Sequence, residues 1–537
     1  MRAKRWLLCF AAAMLAIPVL LGGCTGGNET LIHDDFEEIP MISPITLDGI
    51  TAAADIGTFI EEVDYSDGTH NNEAKDVGTV LSPYFALALN DTEVPCYAVR
   101  TSAGAHSFAM ADVTADAFPL TVSITADMDG HDMVVLPQMR GITADISGDT
   151  VTAVIEDFGS YSFSIDGGKR KVLTLFIREK EIYVIPDGYT VTYVPAGTHE
   201  EKLAFTGEKQ VLYFDNGIHY LKYNIDFLDN TEVYLAPGAH VIAVMPDMAE
   251  TPMLAPDWAG MTRWNAVFQG DSVENVRITG RGYVDLSQLD WHARSAVRFD
   301  SSENVTVSGI TMNNSPEWTV YFTQCENITV EGVMLFGYRQ NSDGICLVDS
   351  RNALVKNCFA RSGDDLFEVK SMYGNCSIEI GNIRFEDCHA WPDKARGLGI
   401  IAESVRDIAD VHFVDCSVGH ASAEWMDALG SLVVYLTGAA RVDNISFENI
   451  ELYKNVKYPI NVTLEAGATA VIENVYFENI DIRGDKAVRI ADNSDSGEIR
   501  NLWFDDCTRD KTSITDEASL ITNKTNADSV QIHINET

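Results

Sequence analysis

The chain has 537 residues, 46% of them hydrophobic, and its 80 acidic against 38 basic side chains give a net charge of -42. That length exceeds one compact domain unless the fold is an elongated solenoid. The charge excludes nucleic acid and anionic membrane as partners and disfavours a densely anionic polysaccharide, unless local basic residues reverse the field.

Residues 1–23 combine a basic start (Arg2, Lys4, Arg5), an apolar stretch and a small-residue run that stops at Cys24. This is the pattern of an export signal. Pro18 and an apolar core shorter than about 20 residues argue against a permanent membrane span. Leu21, Gly22, Gly23 and Cys24 together resemble a bacterial lipobox, which implies a Cys24 thiol carrying lipid, residues 24–30 as a tether, and a membrane-anchored lipoprotein at the bacterial cell surface or in the periplasm. The ten cysteines form no CxxC pair and no Cys/His cluster of zinc-site spacing. Cys358, Cys388, Cys416 and Cys507 close β-like runs at comparable positions and are expected as small buried residues, not ligands. Neither a cofactor nor a metal is expected.

From residue 31 to 182 the pattern alternates, as in segments 119–125, 152–156, 161–165 and 171–177, with a hairpin-like break at Asp166, Gly167 and Gly168. This predicts a β-sandwich-like domain, expected to cap the open end of a solenoid formed by the rest of the chain. After residue 182 short strands alternate with Gly- or Pro-containing turns and no long helical stripe appears. Segment 303–310 is echoed 23 residues later by 326–333, and 351–358 comes 25 later. Further copies centre on Phe385, Phe413, Phe447, Phe477 and Phe504, at spacings of 28, 34, 30 and 27. Repeats of this length predict a parallel β-helix over residues 183–537, with the recurrent Phe stacked inside it. The fold class is therefore all-β, a right-handed parallel β-helix preceded by a β-sandwich-like domain. Asn304, Asn327, Asn444 and Asn474 at the starts of the repeats are expected to form an interior ladder at the coil corners. The sequon at Asn304 is not read as glycosylated. The alternating segment 530–534 predicts a terminal strand or cap.

Within this periodicity Asp343 comes after Asn341 and Ser342 and precedes Gly344, and 21 residues on come Asp364 and Asp365 after Gly363. One coil apart, the three carboxylates come into register about 4.8 Å from one another. Clustered acids raise one another's pKa, so one can hold a proton while the others stay ionised, the condition for acid/base cleavage of a glycosidic bond. Calcium binding and plain solvent turns are the competing readings of such acidic turns.

These motifs resemble those of glycoside hydrolase family 28, the polygalacturonases, in which Asn-Thr-Asp-Gly and Gly-Asp-Asp lie one coil apart. Residues 314–318, Asn-Ser-Pro-Glu-Trp, resemble a further signature of that group. The resemblance implies an inverting glycoside hydrolase acting on α-linkages of a poly- or oligosaccharide, with Asp364 the general acid and Asp343 and Asp365 the residues that position and activate water. It spans about residues 234–447. It departs at Gly397, Leu398 and Gly399, where the family has Gly-His-Gly, and at residues 430–436, where its Arg-Ile-Lys cations are missing. Those departures remove complementarity to a uronate carboxylate and point to a neutral sugar at the cleaved site. Segment 234–241 and the preceding sandwich also resemble glycoside hydrolase family 49, the dextranases and isopullulanases.

Aromatic candidates for sugar stacking are Trp318, Tyr321, Tyr338, Trp391 and Trp425. Arg339 and Lys370 flank the acidic motifs, and Arg396 and Glu403 bracket the altered glycine segment; all four are candidate substrate contacts. A uronate lyase and a non-catalytic carbohydrate-binding surface protein are the other functions this scaffold admits. Unsaturated products mark the first, and binding without new reducing ends marks the second.

Overall fold

This computed structural model describes residues 42–52, 78–245 and 266–535. The export signal, the tether and Cys24 lie outside the described residues. Among those described, no helix is long and apolar enough to cross a membrane.

The N-terminal part is a two-layer β-structure of a seven-stranded and a five-stranded sheet. Asp166 and Gly167, both with positive φ, close the expected turn between the antiparallel strands Gly159–Ile165 and Val172–Glu179. Strand Gly104–Val113 is buried along all ten residues. Its alternation serves two interiors. Ala109, Ala111 and Val113 join the sandwich core, while Phe108 and Met110 join a second core with Tyr283, Phe336, Phe359 and Trp391 of the next domain.

From strand Thr190–Val194 onward the chain winds as a right-handed parallel β-helix. A representative coil has three strands, Ile345–Val348, Arg351–Lys356 and Phe359–Ser362. Stacked coils build an eleven-stranded sheet on one face and a twenty-four-stranded sheet around the others. Side chains alternate, and Ile345, Leu347, Phe367, Val369, Leu398 and Ile400 fill one continuous core. The recurrent Phe residues stack as expected: centroids from Phe385 through Phe413, Phe447 and Phe477 to Phe504 are 4.7, 4.9, 5.2 and 4.7 Å apart. Cys358, Cys388, Cys416 and Cys507 are buried and free. Strand Ile532–Ile534 closes the last coil by pairing with Glu498–Asp505.

Two expectations need correction. The asparagine ladder exists but faces outward: Asn304, Asn327, Asn352 and Asn382 have φ of 52 to 58°, and amide nitrogens of Asn352 and Asn382 donate to the Asn one coil before. Left-handed corners favour Asn, and at such a corner the side chain turns away from the core. The sandwich lies along the side of the coils and not over their open end. Its partners Tyr283, Met334, Phe359 and Trp391 come from four different turns. Buried polar contacts fix it there, with Arg361 reaching the Lys169 carbonyl and His106 Nδ1, and Arg178 donating to the Gly309 carbonyl at 3.0 Å.

Candidate active site

The eleven-stranded sheet carries the acidic motifs at the entry to successive strands. Ile345–Val348 pairs with Phe367–Ser371, and the Gly344 N–H donates to the Asp365 carbonyl, so Asp343 and Asp365 stand in register. The next coil continues the row with Arg396, whose carbonyl accepts from the Leu366 N–H. Gly344 is required by this stacking, since a Cβ there would lie 2.3 Å from the Leu366 carbonyl oxygen. Ser342 ties the two motifs together: its Oγ donates to the Arg339 carbonyl and accepts from the Gly363 N–H.

Nearest oxygens of Asp343, Asp364 and Asp365 lie within 4.8 Å of one another. Their surroundings differ. Asp365 is buried and accepts from the Arg396 backbone N–H at 3.0 Å and from its guanidinium at 2.8 Å. Asp364 is partly exposed and accepts from the Asn341 N–H at 2.9 Å. Burial and the neighbouring Asp365 carboxylate raise its pKa to about 6. Asp343 is held well above the carboxylate range by burial and by Asp364 and Glu368, against the pull of Lys370. The Lys370 ammonium lies 3.5 Å from Asp343, 3.0 Å from Glu368 and 3.9 Å from Glu403. Oxygens this close are able to gather a hard cation, but here a lysine ammonium and a guanidinium already supply positive charge to Asp343 and Asp365.

Glu403 reaches the cleft because the strand pairing slips: Val369 faces Ile400, yet Ser371 faces Ser404. The intervening bulge, with Ala402 at φ 60°, aims the half-exposed Glu403 at Lys370. Leu398 points into the core, and the glycine beside it is needed for close packing, a Cβ at Gly399 falling 1.8 Å from the Val433 carbonyl oxygen. Arg396 therefore provides the cation next to the acids, its guanidinium stacked 5.1 Å over Tyr435 and its Nε donating to the Ala428 carbonyl.

Trp318 lies 4.6 Å beneath the Lys370 ammonium and edge-on to Tyr321. Trp425 is 69% exposed on a loop that Lys457 pins through the Met426 carbonyl and Asp427. Three candidates are not in the cleft. Trp391 is fully buried between sandwich and helix, its indole N–H donating to His389. Tyr338 is buried beneath Arg100. Arg339 is buried as well, and its guanidinium donates to the Leu289 and Ser287 carbonyls. Glu368, fully buried beside Lys370, is the acidic neighbour that the motifs did not reveal.

Residues 249–480 match the family model for glycosyl hydrolases family 28. That match, over less than half of the chain, is a resemblance to the polygalacturonase-like family. A polygalacturonase of Chamaecyparis obtusa is 28% identical over 263 residues, covering 44% of this chain and 47% of that protein. One of Juniperus ashei is 27% identical over 175 residues, 31% of each. The chain thus spans less than half the length of these two relatives. Among solved structures, Dex49A from Penicillium minioluteum superposes with a TM-score of 0.55 at 12% identity, over 92% of this chain and 99% of that one. That likeness, which takes in the sandwich as well as the family 28-like helix, is one of fold.

Proposed function

We propose that this protein is a glycoside hydrolase acting on a pectic-type poly- or oligosaccharide, cleaving an α-glycosidic bond with inversion. The observation that carries the reading is the row Asp343, Asp365, Arg396 on consecutive coils, with Asp364 beside it at a pKa of about 6. Below that pH Asp364 holds a proton to give the leaving oxygen, while Asp365, held by its two bonds from Arg396, and Asp343 orient the attacking water. Low identity to the family 28 relatives leaves the sugar open, and the local charge favours a neutral one: Asp343, Asp364, Asp365, Glu368 and Glu403 face two cations, Lys370 and Arg396, both already engaged with acids. A uronate carboxylate at the scissile residue would find no uncommitted partner in that group.

One observation favours a second stereochemistry. Inverting pairs ordinarily stand about 6.5–9.5 Å apart and retaining pairs about 5–5.5 Å, and the nearest oxygens here are within 4.8 Å. That is closer than an ordinary inverting pair, so inversion rests on the family resemblance. Incubation with α-glucans, α-galactosides and pectic fragments tests the reaction class: new reducing ends are expected, whereas ultraviolet-absorbing unsaturated ends indicate a lyase, and binding without cleavage an adhesion protein. We also propose that Cys24 bears lipid and holds the protein at the bacterial surface or in the periplasm, which mass spectrometry of the native N-terminal peptide tests.

A further inference from the structure

Strand Phe367–Ser371 turns Phe367 and Val369 into the core and leaves Glu368 and Lys370 on the cleft face. Glu368 lies in register between Cys346 and Gly399, a thiol on one side and no side chain on the other. It is fully buried, and no backbone N–H or hydroxyl reaches either carboxylate oxygen. Its ionic partner is the Lys370 ammonium at 3.0 Å, which also stands 3.5 Å from Asp343. Burying a carboxylate in such a place costs several kcal/mol unless it is paired, and replacing an ion pair by hydrocarbon is often neutral or stabilising. Stability alone does not account for a glutamate here.

We propose that Glu368 is a positioning residue that holds the Lys370 ammonium between itself and Asp343, so that one positive charge is divided between two buried carboxylates and the acid facing the substrate is not neutralised by a lysine of its own. The proposal rests on the hydrolytic reading of the site. Groups facing this couple are Asp343 and Cys346 from the coil before, Asp364 and Asp365 at the head of its own strand, and Glu403 from the coil after, 3.9 Å from the ammonium. Burial, opposed by Lys370, raises Glu368 to about 7, and Glu368 in turn adds to the burial and Asp364 effects that raise Asp343.

In Glu368→Gln the whole ammonium charge acts on Asp343, which then gives up its proton more easily. In Lys370→Met the cation is gone and Asp343 holds its proton more tightly. The test is the pH profile of kcat/KM for wild type and both variants on whichever α-glycoside the wild type cleaves. The limb that Asp343 sets is expected to move down by about one pH unit in Glu368→Gln and up by at least as much in Lys370→Met, since a neighbouring charge shifts a carboxyl by about 1–3 units. A residue that merely supports the fold would change kcat equally at every pH. Unmoved limbs, or limbs that move the same way in both variants, overturn the proposal. If Glu368→Gln does not fold, Lys370→Met carries the test with a carbon-13 titration of glutamate carboxyls. There the wild type should show a carboxyl titrating near 7, and its midpoint should rise in Lys370→Met; an unchanged midpoint refutes the couple. That titration needs no turnover, so a wild type inactive on every α-glycoside would remove the functional reading and still leave the couple to be judged.

Discussion

Replacing Arg396 by Met keeps the aliphatic stem over Tyr435 but removes the guanidinium that donates to Asp365 at 2.8 Å and to the Ala428 carbonyl. Asp365 is then a buried acid, 3% exposed, with the Arg396 backbone N–H as its remaining donor from that residue. Breaking a buried pair by removing one partner costs about 3–5 kcal/mol. The orphaned carboxylate can escape by taking up a proton, and that escape sets a ceiling that depends on pH. Relative to an unfolded carboxyl with a pKa of about 3.9, protonation costs about 1.4 kcal/mol per pH unit, hence about 4 kcal/mol at pH 7 and about 1.5 kcal/mol at pH 5. The assay is denaturant unfolding of wild type and Arg396→Met at both pH values. The expected destabilisation is roughly twice as large or more at pH 7. A loss of the same size at both, or one below about 0.5 kcal/mol at pH 7, typical of an exposed surface substitution, would refute the view that Arg396 and Asp365 form a buried ion pair.

Asp364→Asn preserves shape and removes the transferable proton, so kcat on an unactivated glycoside should fall by about 10²- to 10⁴-fold, with much of the loss recovered on a substrate bearing a good leaving group; steady-state kinetics on both substrates checks this. His389 is buried, accepts the Trp391 N–H and is pushed down to about 3 by burial. The folded state therefore declines a proton that the unfolded chain binds below about 6.5, and stability should fall by about 1.4 kcal/mol per pH unit between there and pH 3 on this account. His389→Gln should flatten that slope by about one proton in melts monitored against pH. The two tryptophans should part company. Trp425→Ala should raise KM with kcat and melting temperature nearly unchanged, while Trp391→Ala should cost about 3–5 kcal/mol of stability by opening a core cavity, as calorimetry and kinetics together would show.

Much of the architecture is legible because solenoid packing writes itself into the sequence. Each coil must present the same inward positions, so Phe385 to Phe504 and the cysteine row recur at coil spacing, and Asp343 and Asp365 come into register for the same reason. What the repeat does not encode is which outer face is covered. Trp391 and Tyr338 sit at outward positions that would be free on a bare helix but are buried by the sandwich, a contact between segments far apart in the chain. The asparagines recur visibly, yet their side-chain direction is set by a left-handed φ that periodicity cannot supply. At the site, motif comparison drew attention to the missing histidine and cations, while the cation that reaches Asp365 comes from Arg396, two positions before the altered Leu398. Glu368 had a readable signal: it alternates with Lys370 on the strand after the Asp pair, and two residues so spaced share a face.

The anomeric form of the first product is the most direct test of the acid and water roles assigned to the three aspartates. Proton nuclear magnetic resonance of a cleavage monitored from its first minutes, before mutarotation, should show the new reducing end of an α-linked substrate appearing as the β-anomer, with water attacking opposite the bond that Asp364 protonates. Appearance of the α-anomer would contradict it. The short spacing of the three aspartates would then mean a covalent intermediate, with one of Asp343 and Asp365 as nucleophile in place of a water-orienting pair.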